Sequence, residues 1–209
     1  ITPRGRVRAV VPLSFGRVTL VPELPAFFER YPEVAVDLSF SDSNMPIDMI
    51  RDGLDVAVRT GNVSDSRLVT RLLTRSTQVT VASPDYLRRH GTPQQPSDLA
   101  QHNCVIGSRI TPEWRFVDRQ GEAIIVKVHG NSTIESGDAL REAAVCGLGI
   151  VQGTWWLFRK DLERGALHSI LTDYTIEGAP ISVLYAANRH IPKKVRVFID
   201  FLVSITRTR

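Results

Sequence analysis

The feature that most constrains this chain is the alternation of short, apolar, β-branched runs with longer segments of helical periodicity. Strands are predicted at residues 6–11, 34–40, 55–59, 77–82, 104–107, 114–118, 122–129, 149–152 and 181–187. Helices are predicted between them, near residues 16–31, 45–53, 84–90, 136–146, 154–164 and 192–206. Strands that alternate with helices are typical of α/β proteins with mostly parallel sheets. An early and a later set of such segments indicates two similar lobes.

Residues with special backbone roles mark several element boundaries. Ser83 and Pro84 are placed to cap and begin a helix that Gly91 ends. Ser136 or Asp138 would cap a later helix. The residues RQG at 119–121 stand between two strand-like runs and predict a hairpin turn.

Composition and charge narrow the class of protein. Of the 209 residues, 43% are hydrophobic and 23% are charged, which is typical of a globular protein with a substantial core. The longest apolar runs fall far short of the roughly 18 residues that a membrane-spanning helix needs, so no span is predicted. The net charge of +4 is scattered along the chain, and direct DNA contact is therefore not indicated.

No metal, cofactor or catalytic motif stands out. Cys104 and Cys146 lie far apart, without a CxxC pair or a nearby histidine cluster, which predicts two reduced, buried thiols in a cytosolic protein. A redox pair remains open. The glycines of CGLGIVQG at 146–153 end a helix and enter a strand, the reverse of the dinucleotide-binding order.

Ser14 raises the central question of the sequence. Its frame, Pro12-Leu13-Ser14-Phe15-Gly16, lacks the first glycine of the hydrolase G-x-S-x-G turn, and no histidine sits in a recognisable base motif. Catalysis is therefore disfavoured. As a serine between a strand and a helix, it would cap that helix, and the nearby free N–H groups would make an anion site.

Two more strands end in small polar clusters. Ser41, Asp42 and Ser43 close one strand, and Arg59, Thr60 and Gly61 close another. Open α/β sheets bind ligands beyond the carboxyl ends of their strands, so these clusters should meet Ser14 along one rim. Strand alternation leaves open whether Arg59 points to the ligand or to the core.

The second half of the chain repeats this chemistry. Ser132 and Thr133 precede a predicted helix, and Thr154 precedes the Trp155-Trp156 pair. One tryptophan is expected to pack in the core and the other to line a pocket and stack on a planar ligand. Trp155 is the candidate for the pocket, although the sequence alone does not decide between the two.

Several segments, in order along the whole chain, resemble the effector-binding domain of LysR-type transcriptional regulators. The most specific are PELPAFFERYPEVAVDLSFSD, IDMIRDGLDVAVRTG and VASPDYLRRHGTPQQPSDLAQHNCV. GRVRAVVPLSFG, DSRLVTRLL, DALREAAVCGLGIV and KKVRVFIDFL add to the resemblance.

The resemblance implies a fold and an arrangement of domains. The fold would be α/β, with two Rossmann-like lobes of the periplasmic-binding-protein type II kind joined by two crossover strands. Lobe I would comprise residues 1–76 and 182–209, and lobe II residues 77–181. The winged helix-turn-helix that normally precedes this domain is absent from the chain, so DNA would be bound only through that missing domain. Homodimers or homotetramers are the expected assemblies.

The same resemblance places an effector in a cleft between the lobes. The candidate effector-binding residues are Ser14, Phe15, Ser41, Asp42, Ser43, Arg59, Thr60, Gly61, Ser132, Thr133 and Trp155. The resulting hypothesis is a cytoplasmic, non-enzymatic sensor of a small molecule, a carboxylate or aromatic metabolite, with no cofactor, no metal and no membrane partner. The alternatives are an extracytoplasmic solute-binding receptor of a transporter and a hydrolase that uses Ser14.

Overall fold

The computed structural model describes residues 2–41, 48–49, 51–62, 67–107, 112–187 and 191–207. The chain divides into two compact units, unit 1 with residues 1–75 and 179–209, and unit 2 with residues 76–178. No helix among the described residues is long and apolar enough to cross a membrane.

The described elements are α-helices, shorter helical turns and strands. The strands are β1 (Gly5–Pro12), β2 (Val34–Ser41), β3 (Val56–Thr60), β4 (Leu68–Ala82), β5 (Ile106–Gly107), β6 (Glu113–Val117), β7 (Ala123–Lys127), β8 (Thr133–Ile134), β9 (Val151–Thr154), β10 (His168–Ile170) and β11 (Ile176–Ala186). The α-helices are α1 (Leu13–Phe15), α2 (Leu24–Arg30), α3 (Pro84–His90), α4 (Gly137–Val145), α5 (Trp155–Glu163) and α6 (Lys193–Arg207). A π-helical turn (Gly16–Leu20) and 3₁₀ turns (Val21–Glu23, Pro96–Gln101 and Thr172–Tyr174) complete the set.

Unit 1 is built on a sheet whose centre is β1. β1 pairs in parallel with β2 on one side and with β3 on the other, and β3 pairs antiparallel with β11. Gly16, which follows α1, lies against the face that carries Val11, since a Cβ on Gly16 would lie 2.7 Å from that side chain. Phe27 of α2 packs against Phe198 and Phe201 of α6, with ring centroids 5.5 and 4.9 Å apart.

Two prolines determine the form of the first helical segment. Pro22 and Pro25 lack the N–H that a regular α-helix would use at those positions, which predicts a kink or a split. The structure confirms the split, because the segment is divided into α1, a π turn, a 3₁₀ turn and α2 with different hydrogen-bond spacings. Val21 donates five residues back to Gly16 at the end of the π turn, and a 3₁₀ turn then leads into α2.

The described part of unit 2 contains α3, α4 and α5, two two-stranded sheets and one end of the seven-stranded sheet. The later part of β4 pairs antiparallel with β9 and β10, β5 pairs in parallel with β8, and β6 forms an antiparallel hairpin with β7. One buried cluster lies around Phe158 of α5 and Leu140 of α4, and a second around Trp114 of β6 and Tyr86 of α3.

Most predicted elements are confirmed, but the prediction of mostly parallel sheets is wrong. Parallel neighbours need a crossover connection between them, whereas β4 and β11 are long strands that run from one unit into the other and pair antiparallel with β9, β10 and β3. The predicted strand at 77–82 is therefore only the end of β4. The predicted helix at 45–53 falls largely outside the described residues.

The predicted hairpin turn at 119–121 is confirmed. The carboxylate of Asp118 accepts hydrogen bonds from the backbone N–H groups of Gln120 and Glu122, at 2.9 and 2.8 Å. Gly121 has a φ of 87°, which favours glycine at this position.

Candidate functional site

The carboxyl edge of the unit 1 sheet brings together two of the predicted polar segments. Pro12 of β1 lies opposite Ser41 of β2. On the other side of β1, Val10 lies opposite Ala57 of β3. The same register continued by two residues places Arg59 beside Pro12, because parallel strands advance together.

Four side chains form a row at this edge. Ser182 of β11 lies opposite Arg59, and residues directly opposite one another in a sheet point to the same face. We name the set Ser182, Arg59, Pro12 and Ser41 the edge row. On that face, and along the strands, the edge row is the next row of side chains after the buried cluster of Val10, Met49, Ala57 and Leu184. Arg59 thus points away from the face that carries Val11 and Gly16.

The guanidinium of Arg59 is partly buried and incompletely bonded. Its Nη1 atom is buried and has no hydrogen-bond partner among the described residues. Burial lowers the pKa of Arg59 below its ordinary value, because a charged group loses solvation there. The group still carries its positive charge at neutral pH.

The serines of the edge row add hydroxyl groups. Within the described part of the chain, Oγ of Ser41 is buried and makes no hydrogen bond. Ser182 is 5% exposed. The row therefore offers one guanidinium and two hydroxyls next to an apolar cluster.

Ser14 does not cap a helix, so that expectation is wrong. The N-cap position is held by Pro12. Ser14 is the second residue of α1, two positions after the N-cap, and no side chain caps the first backbone N–H groups of this helix. Ser14 is half-buried at the edge, whereas Phe15 as a whole is only 2% exposed. Phe15 therefore packs in the core and offers little surface to a ligand.

Thr60 and Gly61 follow Arg59 at the end of β3. Thr60 is half-buried. Gly61 donates its N–H to the carbonyl of Pro180 at 2.8 Å and has a φ of 95°, with open space where a Cβ would stand. The remaining candidates of this cluster, Asp42 and Ser43, lie outside the described residues.

In unit 2, Ser132 and Thr133 lie at the start of β8. Thr133 is exposed and pairs with Ile106 of β5. The hydroxyl of Ser132 is half-buried and donates to Oδ1 of Asn131 at 3.0 Å.

Asn103 holds the backbone that leads to these two residues. Its side-chain nitrogen, Nδ2, donates to Oδ1 of Asn131 and to the carbonyl of Leu148, at 3.1 and 2.8 Å. Its Oδ1 accepts from the N–H of Asn131 at 2.9 Å. A Cβ on Gly130 would stand 1.9 Å from the carbonyl oxygen of Cys104, so only glycine allows this close approach.

The two tryptophans have different surroundings. Trp155, the first residue of α5, is 37% exposed, and the guanidinium of Arg159 lies 5.9 Å from its ring centroid. Trp156 packs against the buried cluster around Phe158. The structure thus leaves Trp155 as the tryptophan whose ring is accessible.

Two residues of these sites, Ser182 and Asn103, are not predicted from the sequence. Ser182 had a signal, because it is the one serine in the otherwise apolar and aromatic run ISVLYA. Asn103 had a weaker one, since a single asparagine beside a strand is common in ordinary turns. The role of Ser182 depends on the register between β3 and β11, and the role of Asn103 depends on the contact between its loop and the loop of Asn131. A sequence gives neither.

The chemistry available at these positions is binding by hydrogen bonds and charge. Among the described residues, no hydrogen bond links Ser14 to a histidine, and no three His, Cys, Asp or Glu side chains could together hold a metal ion. Both cysteines are free; Cys104 is buried and Cys146 exposed, so the prediction that both are buried is wrong for Cys146. Burial raises the pKa of the Cys104 thiol to about 12.

Comparison with known proteins gives the family. Residues 2–206 match the model of the LysR substrate binding domain. An HTH-type transcriptional regulator of Haemophilus influenzae is 34% identical over 203 residues, which cover 92% of this chain and 66% of that protein. The chain therefore spans about two thirds of the length of such relatives.

Solved structures give the same result. The regulatory domain of CrgA, a LysR-type transcriptional regulator of Neisseria meningitidis, has a TM-score of 0.86 and 31% identity, and covers 98% of this chain and 100% of its own. The full-length Vibrio cholerae virulence activator AphB has a TM-score of 0.86 and 31% identity, with 97% of this chain and 69% of AphB covered. The chain belongs to the LysR substrate-binding domain family, the ligand-sensing regulatory domains of LysR-type transcriptional regulators.

Proposed function

We propose that this chain binds a small-molecule effector at the edge row of unit 1 and the adjoining residues Ser14, Thr60 and Gly61. The observation that carries the proposal is the pair of buried polar atoms, Arg59 Nη1 and Ser41 Oγ, that have no hydrogen-bond partner among the described residues. Leaving a buried polar group unsatisfied costs about 1–3 kcal/mol, and more for a charged group. A bound polar ligand would remove that cost.

Further residues are assigned to effector binding from the family resemblance. They are Asp42 and Ser43 of unit 1 and Ser132, Thr133 and Trp155 of unit 2. The hydroxyls would donate to polar ligand atoms, and the accessible Trp155 ring would stack on an apolar or aromatic part of the effector. Phe15 is the remaining residue assigned from the resemblance.

The regulatory output belongs to a longer protein. We assign DNA binding to a separate N-terminal domain, and we expect the regulator to act in the cytoplasm as a homodimer or homotetramer. An effector changes the DNA-bound assembly only to the extent that it binds one conformation of the sensor more tightly than another. No turnover of the ligand is required, and the proposal includes no enzymatic step.

Substitution of Ser14 by alanine tests the site directly. Removing one neutral hydrogen bond should cost about 0.5–1.5 kcal/mol, a loss of affinity of roughly twofold to tenfold. Compounds that raise the melting temperature of the 209-residue chain would first be found by screening, and their affinities measured by isothermal titration calorimetry for wild type and Ser14→Ala.

The matched control is Ser169→Ala, which removes an exposed hydroxyl from β10 and should leave the affinity unchanged. Equal affinity of wild type and Ser14→Ala would remove Ser14 from the site. Catalytic conversion of the bound compound by wild type, lost in Ser14→Ala, would instead support the hydrolase alternative. The transport-receptor alternative gains no support from the relatives, which are transcriptional regulators.

A further inference from the structure

Arg59 and Arg141 are two partly buried arginines with opposite electrostatic surroundings. Arg141 of α4 makes a two-pronged ion pair with the buried carboxylate of Asp161, with Nη2 and Oδ1 2.7 Å apart. That bond raises the pKa of Arg141, whereas burial alone lowers the pKa of Arg59. The charge of Arg59 thus loses solvation on burial, and no described residue accepts a hydrogen bond from its Nη1 atom to offset that loss.

The second donor of the edge row is placed to act with Arg59. Ser41 and Arg59 stand on the two strands that flank β1, so their backbones are roughly 10 Å apart at a spacing of about 4.8 Å per strand. An arginine side chain spans most of that distance. Both side chains point to the face that carries Pro12, so a ligand group bound over Pro12 would lie between the two donors.

We infer that the edge row selects an effector that carries a carboxylate group, with Arg59 as the residue that determines this specificity and Ser41 as a second donor. The inference rests on the proposed function, because it names the chemical class of ligand for the same site. A carboxylate fits the geometry, since its two oxygens accept in one plane and pair with the fork of a guanidinium.

Charge distinguishes a carboxylate from the other ligands that such donors could bind. One guanidinium neutralises one negative charge, and the edge row contains no second cation. A phosphate monoester carries about −1.5 to −2 charges near neutral pH, which would leave a buried surplus of negative charge. A neutral amide would satisfy the hydrogen bonds but leave the charge of Arg59 unpaired.

The test uses bare functional groups as probes, so the natural effector need not be known. The 209-residue chain would be melted with sodium acetate or sodium benzoate, with acetamide or benzamide, and with inorganic phosphate, at one ionic strength set with sodium chloride. A ligand that binds only the folded state raises the melting temperature. We expect a rise with the carboxylates beyond that seen with chloride, and a smaller one or none with the amides and phosphate.

Arg59→Met should abolish the carboxylate-dependent rise, and Arg59→Lys should retain part of it. Arg119→Met removes an 80% exposed arginine from the β6–β7 turn and should leave the rise intact. Without any probe, Arg59→Met should melt at the same temperature as wild type or higher, because it removes an uncompensated buried charge. Arg141→Met should melt lower, because it removes a cation from the buried Asp161.

Two results would overturn the inference. If Arg59→Met lowers the melting temperature as Arg141→Met does, Arg59 has a partner within the chain. If the carboxylates raise the melting temperature no more than the amides, or equally in Arg59→Met, the site does not select by charge. The proposed function would survive either result as long as a screened compound still binds more weakly to Ser14→Ala than to wild type, so the two failures are distinguishable.

Discussion

At the scale of single residues, the two cysteines occupy contrasting environments. Cys104 is 0% exposed, beside the close approach of Gly130, and burial raises the pKa of its thiol to about 12. Cys146 is exposed at the end of α4. Only the thiolate form of cysteine is nucleophilic, so burial suppresses both the access to Cys104 and its ionisation.

Alkylation of the folded chain should therefore modify one cysteine. With iodoacetamide at mildly alkaline pH, we expect rapid labelling of Cys146 and little of Cys104, and labelling of both in denaturant. Peptide mass spectrometry measures the two sites separately. Modification of Cys104 at a comparable rate in the folded chain would show that its surroundings open readily.

At the scale of secondary-structure elements, a buried ion cluster joins α4 to α5. Asp161 of α5 has a side chain that is 1% exposed and accepts hydrogen bonds from Arg141 of α4 and Arg164. Burial by itself would raise the pKa of Asp161, but these two arginines outweigh that effect and hold the pKa below its ordinary value. The cluster fixes one end of α5, the helix that begins at Trp155.

Asp161→Asn should destabilise unit 2 by about 3–5 kcal/mol at neutral pH, because the two arginines lose their buried counter-charge. Since the folded-state pKa lies below the unfolded one, the stabilisation is present above the ordinary carboxyl range and is lost as the pH falls through the folded-state value. Urea denaturation of wild type and variant, at neutral and at acidic pH, measures the difference.

The matched control for this prediction is Asp173→Asn. Asp173 pairs with Arg119 in an exposed ion pair whose side chains are 58% and 80% accessible. Such pairs contribute about 0–1 kcal/mol, so this variant should unfold nearly as wild type does. Equal destabilisation by the two substitutions would contradict the special role of the buried cluster.

The elements that the sequence predicts well are those with a strong local signal. The apolar runs of β1, β2 and β3 are confirmed, and Ser83 caps α3 by accepting from the N–H of Tyr86 at 3.2 Å. The first half of β4 was missed because LVTRLLTRS mixes apolar and basic residues without a clean alternation. Strands of two or three residues, such as β8 and β10, are too short to leave a periodic pattern.

The candidate site was predictable in its location more than in its geometry. Polar residues at the ends of β2 and β3 identified the edge of the sheet. To know where the Arg59 side chain points, one needs the register between β1 and β3. To know that Ser14 is not the N-cap residue, one needs the residue at which α1 begins. Both depend on pairing between distant segments, so no local pattern records them.

At the scale of the whole molecule, the chain passes between its units within two strands. β4 leaves unit 1 after Arg75, and β11 returns to it at Ala179. Where they pass, Gly178 lies so close to Ser76 that a Cβ on the glycine would stand 2.3 Å from the serine Oγ and 3.0 Å from its carbonyl oxygen. Ser76 is 2% exposed, so it has little room to move.

Gly178→Ala should therefore destabilise the chain by about 1–3 kcal/mol, the usual cost of overpacking a buried site. In the double variant with Ser76→Ala the loss should be smaller than the sum of the two single losses, because the crowded oxygen is gone. Chemical denaturation of all four proteins gives this coupling. Strict additivity would mean that the two residues do not constrain each other.

The contrast between the cysteines also has a practical consequence. The chain has only two cysteines, and one of them, Cys104, is buried. A maleimide dye added to the native protein would attach at Cys146, on the helix that Arg141 ties to α5. Emission from such a conjugate would report changes around α4 while candidate compounds are added, which would turn the sensor domain itself into an optical assay for its effector.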